Sequence, residues 1–226
     1  MPYLRKLKRN WVGFSGSWQT FSSMSFYLVE DLEQGTAEWR QWRKGIIGAS
    51  DAPVIMGENP WGSPARLLQE KLGLVEEFTG NEATREGHRL DEPARELVAR
   101  NYSMNLKPAI VQDSKAPYLA ASLDAISSDG RQVFEIKSGV KSYEYVESNG
   151  YPPDYYRAQL QHILMVTELE WIVYAAFRPG KPIITLNIHR NDDYIKQLRK
   201  SENEFVEQLV ERNHRMQYQF VGRLTN

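Results

Sequence analysis

The sequence predicts a mixed α/β fold in which helices pack on a central mixed sheet, and three observations carry that expectation. The hydrophobic period is helical from about residue 36 to 100, changes to strand-like alternation around 118–136, and then alternates between the two. Element order along the chain is helices, hairpin, helix, two strands, helix, which suits helices laid on one sheet. The chain has 226 residues, 41% of them hydrophobic and 25% charged, enough to bury a real core and unlike a disordered or fibrous chain.

Each element has its own signal. Residues 1–25 are rich in Ser, Gly and aromatics without a regular period and are set apart as an appendage, leaving 26–226 as one domain. Thr36 caps a helix that carries Trp39, Trp42 and Arg43 at helical spacing. Ser50-Asp51 opens a short helix stopping at Gly57, and Glu58-Asn59-Pro60-Trp61-Gly62 reads as a turn. Ser63-Pro64 starts a helix ending at Gly73. A long helix follows from about Asn81 to Arg100, with Leu90, Ala94, Leu97 and Val98 on one face. Tyr118–Ile126 and Gln132–Ile136 read as strands joined by a turn containing Asp129-Gly130. Pro153–Thr167 is a helix with Tyr156, Leu160, Ile163 and Leu164 on its apolar stripe. Strands at Trp171–Phe177 and Ile183–Ile188 flank a Pro-Gly-Lys-Pro turn, and a long amphipathic helix runs from Asp192 to about Gln217, carrying Ile195, Leu198, Phe205, Leu209 and Met216.

Composition removes several classes of function. With no cysteine there is no disulfide framework, iron–sulfur cluster, thiolate zinc site or cysteine nucleophile, and a reducing, cytoplasmic setting is expected. The apolar run Ile163–Val166 is far short of the roughly 20 residues of a membrane span, and residues 11–25 lack the continuous apolar core of a secretory signal. With 28 basic against 29 acidic side chains, bulk charge cannot hold nucleic acid, so any such binding needs a local site.

The most informative feature is Asp124 on one strand of the hairpin and Glu135-Ile136-Lys137 on the next. Positions two apart on a strand share a face, so Glu135 and Lys137 point the same way and the hairpin returns Asp124 beside them. Two carboxylates can hold a hard divalent cation through oxygen, with an ammonium alongside, a set suited to phosphodiester hydrolysis. The alternative is a surface charge ladder. Asp113-Ser114-Lys115 shows how common the short pattern is, but it sits in a polar stretch, whereas Glu135-Ile136-Lys137 is embedded in an apolar strand, where charge is costly unless paired or metal-bound. A third ligand is sought on the preceding helix, where His88, Asp91 and Arg95 share a face; the bland reading of Asp91-Glu92-Pro93 is a favourable helix start.

These residues resemble the phage-type recombination exonucleases, the family of bacteriophage lambda exonuclease and the related YqaJ-type viral recombinases, over roughly residues 36–217. The matching blocks are Trp39 through Arg43 to Gly45-Ile46-Ile47-Gly48-Ala49-Ser50; Asn59-Pro60-Trp61-Gly62-Ser63-Pro64 with Glu70-Lys71-Leu72-Gly73; Gly87 to Ala94; Ala121-Ser122-Leu123-Asp124 with Glu135-Ile136-Lys137; and Gln159-Leu160-Gln161. The family's Ser-Pro-Asp-Gly reads Ser122-Leu123-Asp124-Ala125 here, and its Cys-Pro after the lysine reads Ser138-Gly139.

The resemblance implies a restriction-endonuclease-like PD-(D/E)XK core and a set of roles. Asp124 and Glu135 would bind Mg2+, for which Mn2+ could substitute, with the Ile136 carbonyl as a backbone ligand and Lys137 as the catalytic lysine. Asp91 stands where the family usually has a glutamate ligand, one methylene longer, which makes a water-bridged contact an option. His88, one turn earlier, is a candidate ligand or DNA contact. Arg43, Ser50, Ser122 and Gln159 match the pocket for a terminal 5′-phosphate. The implied activity is a 5′ to 3′ exonuclease on double-stranded DNA ends that releases mononucleotides and leaves a 3′ overhang for recombination. It would act as a ring-shaped homotrimer partnered by a single-strand annealing protein. The rivals are another nuclease of this fold, an endonuclease or a RecB-like enzyme, and a non-catalytic DNA-binding module.

Overall fold

The computed structural model describes residues 18–19, 25–76, 80 and 82–224, and for residues 18–19, 83–84, 88 and 215–224 the backbone alone. Eight strands form one sheet: β1 (Trp18–Gln19), β2 (Phe26–Val29), β3 (Ile47–Gly48), β4 (Leu106–Asp113), β5 (Leu119–Ser127), β6 (Val133–Ser138), β7 (Trp171–Phe177) and β8 (Ile184–His189). The order is β1-β2-β4-β5-β6-β7-β8, with β3 added to β5. Pairing is antiparallel except for β3 with β5 and β6 with β7, so the sheet is mixed, as expected. The helices are α1 (Ala37–Lys44), α2 (Ala52–Ile55), α3 (Pro64–Lys71), α4 (Glu82–Tyr102), α5 (Val140–Asn149), α6 (Arg157–Thr167, preceded by a 3₁₀ turn at Asp154–Tyr156) and α7 (Asp192–Leu224).

Two apolar layers cover the sheet. On one face Ala94 and Val98 of α4 pack on Ala125, Phe134, Ile136, Val173 and Ala175, with Leu90 and Leu97 beside them. On the other, Leu160, Ile163 and Leu164 of α6 meet Leu123, Ile126, Val133 and Tyr174, and α7 closes over α6 with Ile195, Leu198, Phe205 and Val206. Alternation along β6 therefore sends Phe134 and Ile136 toward α4 and Glu135 and Lys137 toward α6. The helix α6 is buried nearly all round. Its His162 pairs with Glu202 of α7 at 2.7 Å through Nδ1 and contacts the Ala120 carbonyl at 3.0 Å through Nε2.

Several elements were not anticipated. The strand β4 contains Pro108, which removes a ladder donor; a register shift between Lys107 and Ala109 accommodates it and lets the strand continue. The surroundings of Asp113 are thereby corrected: it ends an apolar strand rather than sitting in a polar stretch, accepts from the Lys115 and Ala116 N–H groups at 2.7 and 2.9 Å, and pairs with Arg199 at 3.0 Å. Its carboxylate is consumed by a turn and an ion pair. The helix α5, between Gly139 and Gly150, was also missed; only Ser142, Tyr143 and Val146 of it are buried. From the segment set apart as an appendage, Trp18–Gln19 pair with β2 and the Ser25 hydroxyl donates to the Thr167 carbonyl at 3.3 Å. Met216 and His88 have side chains outside the described residues.

Candidate active site

The topology opens one edge of β5. The strand β4 runs along its other edge. On the open edge β6 pairs with Ala125 and Ile126, β3 pairs with Leu119 and Ala120, and Ala121 to Asp124 lie between the two partners. Ser122 and Asp124, the two polar residues of that stretch, belong to the two halves of the site.

At the first half the β5–β6 ladder closes with the pair Ala125 and Phe134. One step further the Asp124 carboxylate accepts the Ile136 N–H at 2.8 Å, and Glu135 is the residue across from it. Lys137 and Gln159 both donate to Glu135 Oε1, Gln159 at 2.7 Å. The Lys137 ammonium also lies over the ring of Tyr156, 4.8 Å from its centroid. Burial and the charge of Glu135 push the Asp124 carboxyl up to about 8, against the pull of Lys137 and the Ile136 N–H, with Asp91 adding to the rise. Burial works against the Lys137 ammonium, but the Glu135 carboxylate outweighs it and the lysine pKa lies above the ordinary value.

This donor set fits a divalent cation. Glu135 is 2% exposed, and its second oxygen, Oε2, is buried without a hydrogen-bond partner. A buried carboxylate oxygen with no donor, beside a second carboxylate whose charge is disfavoured, is an arrangement that a dication stabilises. Asp124 and Glu135 would supply the hard oxygens. Among the described residues no three His, Asp or Glu side chains form a ready ligand cluster. Asp91 of α4 acts on Asp124 through its charge.

The second half is a cavity of about 140 Å3 whose walls include Arg43, Ser50, Ser122 and Gln159 together with Trp39 and Gln34. All four residues anticipated for phosphate binding thus line one space. The Thr36 cap starts α1, whose i, i+4 spacing places the Arg43 guanidinium 4.8 Å from the Trp39 ring centroid. Arg43 Nη2 donates to Ser50 Oγ at 3.1 Å and lies 3.4 Å from Asp51 Oδ1. The Trp39 indole N–H donates to Ser122 Oγ at 3.2 Å, so the four polar side chains are held in place by neighbours.

Sequence reasoning missed those neighbours. Lys71 Nζ, buried, donates to Asp51 Oδ2 at 2.6 Å and to the Arg43 and Ile46 carbonyls at 2.9 and 2.6 Å. Asp51 also accepts the Gly48 N–H at 2.9 Å. Gln34 donates to the Leu123 carbonyl at 3.3 Å, on the open stretch of β5. Lys71 and Asp51 stand inside or beside the matching blocks, but no local pattern gives their purpose. Gln34 and Tyr156 carried no signal of a role at the site.

Comparison with known proteins agrees with this architecture. The family model of the YqaJ-like viral recombinase domain matches residues 38–170. An uncharacterized protein of Bacillus subtilis strain 168, YqaJ, is 29% identical over 187 residues; the match covers 79% of this chain, which spans only 57% of that protein's length. Among solved structures, the alkaline exonuclease LHK-Exo from Laribacter hongkongensis superposes with a TM-score of 0.71 at 20% identity, over 83% of this chain and 99% of that one, alone and in complex with dAMP. A phage-related exonuclease from Haemophilus somnus 129PT superposes with a TM-score of 0.54 at 15% identity, over 74% and 96% of the two chains. At those identities the structural matches establish a shared fold. The family match spans more than half of the chain, from α1 through the hairpin to α6, and the chain therefore belongs to the YqaJ-like viral recombinase family.

Proposed function

We propose that this chain, with residues 26–226 as one PD-(D/E)XK domain, is a divalent-metal-dependent nuclease. It removes mononucleotides 5′ to 3′ from the phosphorylated strand of double-stranded DNA ends and leaves a 3′ overhang for single-strand annealing. The observation that carries this reading is that Gln159 lines the cavity with Arg43, Ser50 and Ser122 and also bonds Glu135. A pocket of guanidinium, hydroxyl and amide donors suits a phosphate monoester. One joined directly to a carboxylate–lysine site suits an enzyme that counts its cut from a phosphorylated end. The two structural relatives, both exonucleases and one holding dAMP, favour the same direction.

In this reading Asp124 and Glu135 hold Mg2+ or Mn2+, with the Ile136 carbonyl and Asp91 completing its surroundings. A metal bound there neutralises the phosphate and makes a bound water acidic. The residues of the chain do the rest. Arg43, Ser50 and Ser122 fix the terminal phosphate. Gln159 orients Glu135, while the Lys137 ammonium donates toward the reacting oxygen and stabilises negative charge as it develops. The balanced total charge suits a homotrimeric ring with a basic lining, which would stay on DNA by topology, and a single-strand annealing protein is the proposed partner for the emerging strand.

The test is digestion of linear duplex labelled at either end of one strand, with 5′-phosphate or 5′-hydroxyl termini, with and without Mg2+, comparing wild type and Lys137→Ala. Magnesium-dependent release of 5′ mononucleotides from phosphorylated ends, lost in Lys137→Ala, is the expected result. Equal cutting of closed circles would replace it by an endonuclease, and binding without cutting by a DNA-binding module.

A further inference from the structure

The matching block Asn59–Pro64 takes no part in the site as described, yet it places a large aromatic side chain in solvent. Trp61 is 74% exposed, the most exposed of the large apolar side chains among the described residues. Its backbone is nonetheless firmly held. Asn59 Oδ1 accepts the Trp61 N–H at 2.8 Å, Pro60 precedes it, and Gly62 sits so close to Val54 that a Cβ would come within 3.1 Å of Val54 Cγ2. The turn has been shaped to present the indole rather than to bury it.

The indole is the outer end of a row of rings. Trp61 meets Tyr155 edge-on at 5.0 Å between centroids, Tyr155 meets Tyr156 at 4.5 Å, and the Tyr156 ring carries the Lys137 ammonium. The row thus runs from solvent to the lysine that contacts Glu135. The phosphate cavity reaches Glu135 through Gln159, and the row reaches it through Lys137. A strand with its terminal phosphate in the cavity and a phosphodiester at Glu135 would continue along the rings.

Exposed aromatic rings beside a phosphodiester site are platforms for unpaired bases, because every base has a π-face and stacking needs no sequence. We propose that Trp61 and Tyr155 form a stacking platform for the bases of the degraded strand just 3′ of the bond being cut, holding them unpaired from the complementary strand. The occupant is an unpaired nucleotide of DNA. The inference rests on the nuclease reading above and deepens it by assigning a binding subsite to residues outside the carboxylate site and the phosphate cavity.

The probe is a 5′-phosphorylated duplex with 2-aminopurine as the second or third nucleotide of the strand to be cut, bound to the full chain with Ca2+ in place of Mg2+. Wild type, Trp61→Ala, Trp61→Phe and, as a control away from the row, Leu74→Ala are compared. In wild type the 2-aminopurine emission changes on binding and reports a base moved from its duplex stack onto a ring. Trp61→Ala is expected to lose that change and bind about tenfold more weakly, within the range for one lost stacking contact. Trp61→Phe restores most of both, and Leu74→Ala matches wild type. If Trp61→Ala keeps wild-type affinity and the same emission change while the enzyme cuts DNA, the platform is wrong and the nuclease reading stands. If wild type neither binds nor cuts the duplex, both fall together.

Discussion

Gln159 Nε2 donates to Glu135 Oε1 at 2.7 Å, while the same side chain lines the cavity of Arg43, Ser50 and Ser122. One amide therefore touches both the place proposed for the terminal phosphate and the carboxylate proposed for the metal. Gln159→Ala removes a hydrogen bond to a charged group, worth about 1.5–3 kcal/mol, so single-turnover cleavage should fall roughly ten- to a hundredfold. Gln159→Glu should be worse, since it sets a second carboxylate against Glu135. Wild-type rates for Gln159→Ala on phosphorylated ends would show that the two halves act separately.

In the proposed function Arg43 is the residue on which recognition of the end depends. Its guanidinium is fixed by the Trp39 ring and the Ser50 hydroxyl, so its orientation is set before a phosphate arrives. Arg43→Ala should abolish the preference for 5′-phosphate over 5′-hydroxyl ends. Arg43→Lys, which keeps charge but loses the planar fork, should keep only part of it. Rates on the two kinds of end give the ratio directly; an unchanged ratio in Arg43→Ala would place phosphate recognition elsewhere.

The first-strand carboxylate should lower the stability of the metal-free protein. With its pKa raised to about 8, Asp124 favours its neutral form in the folded chain, whereas in the unfolded chain it ionises near 3.8. Stability is therefore lost as pH rises between about 4 and 8, because the unfolded state releases a proton that the folded state keeps. Asp124→Asn can still accept the Ile136 N–H and carries no charge. In chelator at pH 8–9 it should be more stable than wild type by roughly 1–4 kcal/mol, while cleaving nothing. Adding Mg2+ should raise the wild-type melting temperature and leave the variant unchanged. Melting temperatures across pH 5–9 check this, and a wild type indifferent to both pH and Mg2+ would remove the metal from Asp124.

How much of this was readable from the chain depended on whether a signal was local. Helical stripes such as Ala94 with Val98 and Leu160 with Ile163 were legible because period alone reports them, and the face shared by Glu135 and Lys137 follows from alternation. The strand β4 was hidden because Pro108 argues against a strand until the register shift beside it is known. Trp39 and Lys71 belonged to matching blocks, yet their contacts with Ser122 and Asp51 span 83 and 20 positions in sequence and no local pattern carries them.

That last contact yields the sharpest prediction for stability. Lys71 is almost wholly buried, and its ammonium has three oxygen acceptors: Asp51 Oδ2 and the carbonyls of Arg43 and Ile46. Burial pushes the Asp51 carboxyl up, but the charges of Lys71 and Arg43, with hydrogen bonds from Lys71 and the Gly48 N–H, hold it below the usual carboxylate range. Because the folded pKa is depressed, the stability this carboxylate contributes is present above about pH 4 and is lost as pH falls through the folded value. Lys71→Met keeps the length of the side chain but leaves Asp51 with only partial compensation and two carbonyls without their donor, at a cost of about 3–5 kcal/mol at pH 7. Adding Asp51→Asn should recover part of that loss, since the buried charge is then gone, so the two substitutions together should cost less than the sum of each alone. Lys71→Met should also loosen the backbone beneath Arg43 and so weaken discrimination of phosphorylated ends, even though Lys71 is not among the residues that line the cavity. Denaturant unfolding of the two single variants and the double variant at pH 7, with end-preference ratios for each, measures both effects. Additive stabilities with an unchanged ratio would mean that Lys71 neither holds Asp51 nor supports the pocket.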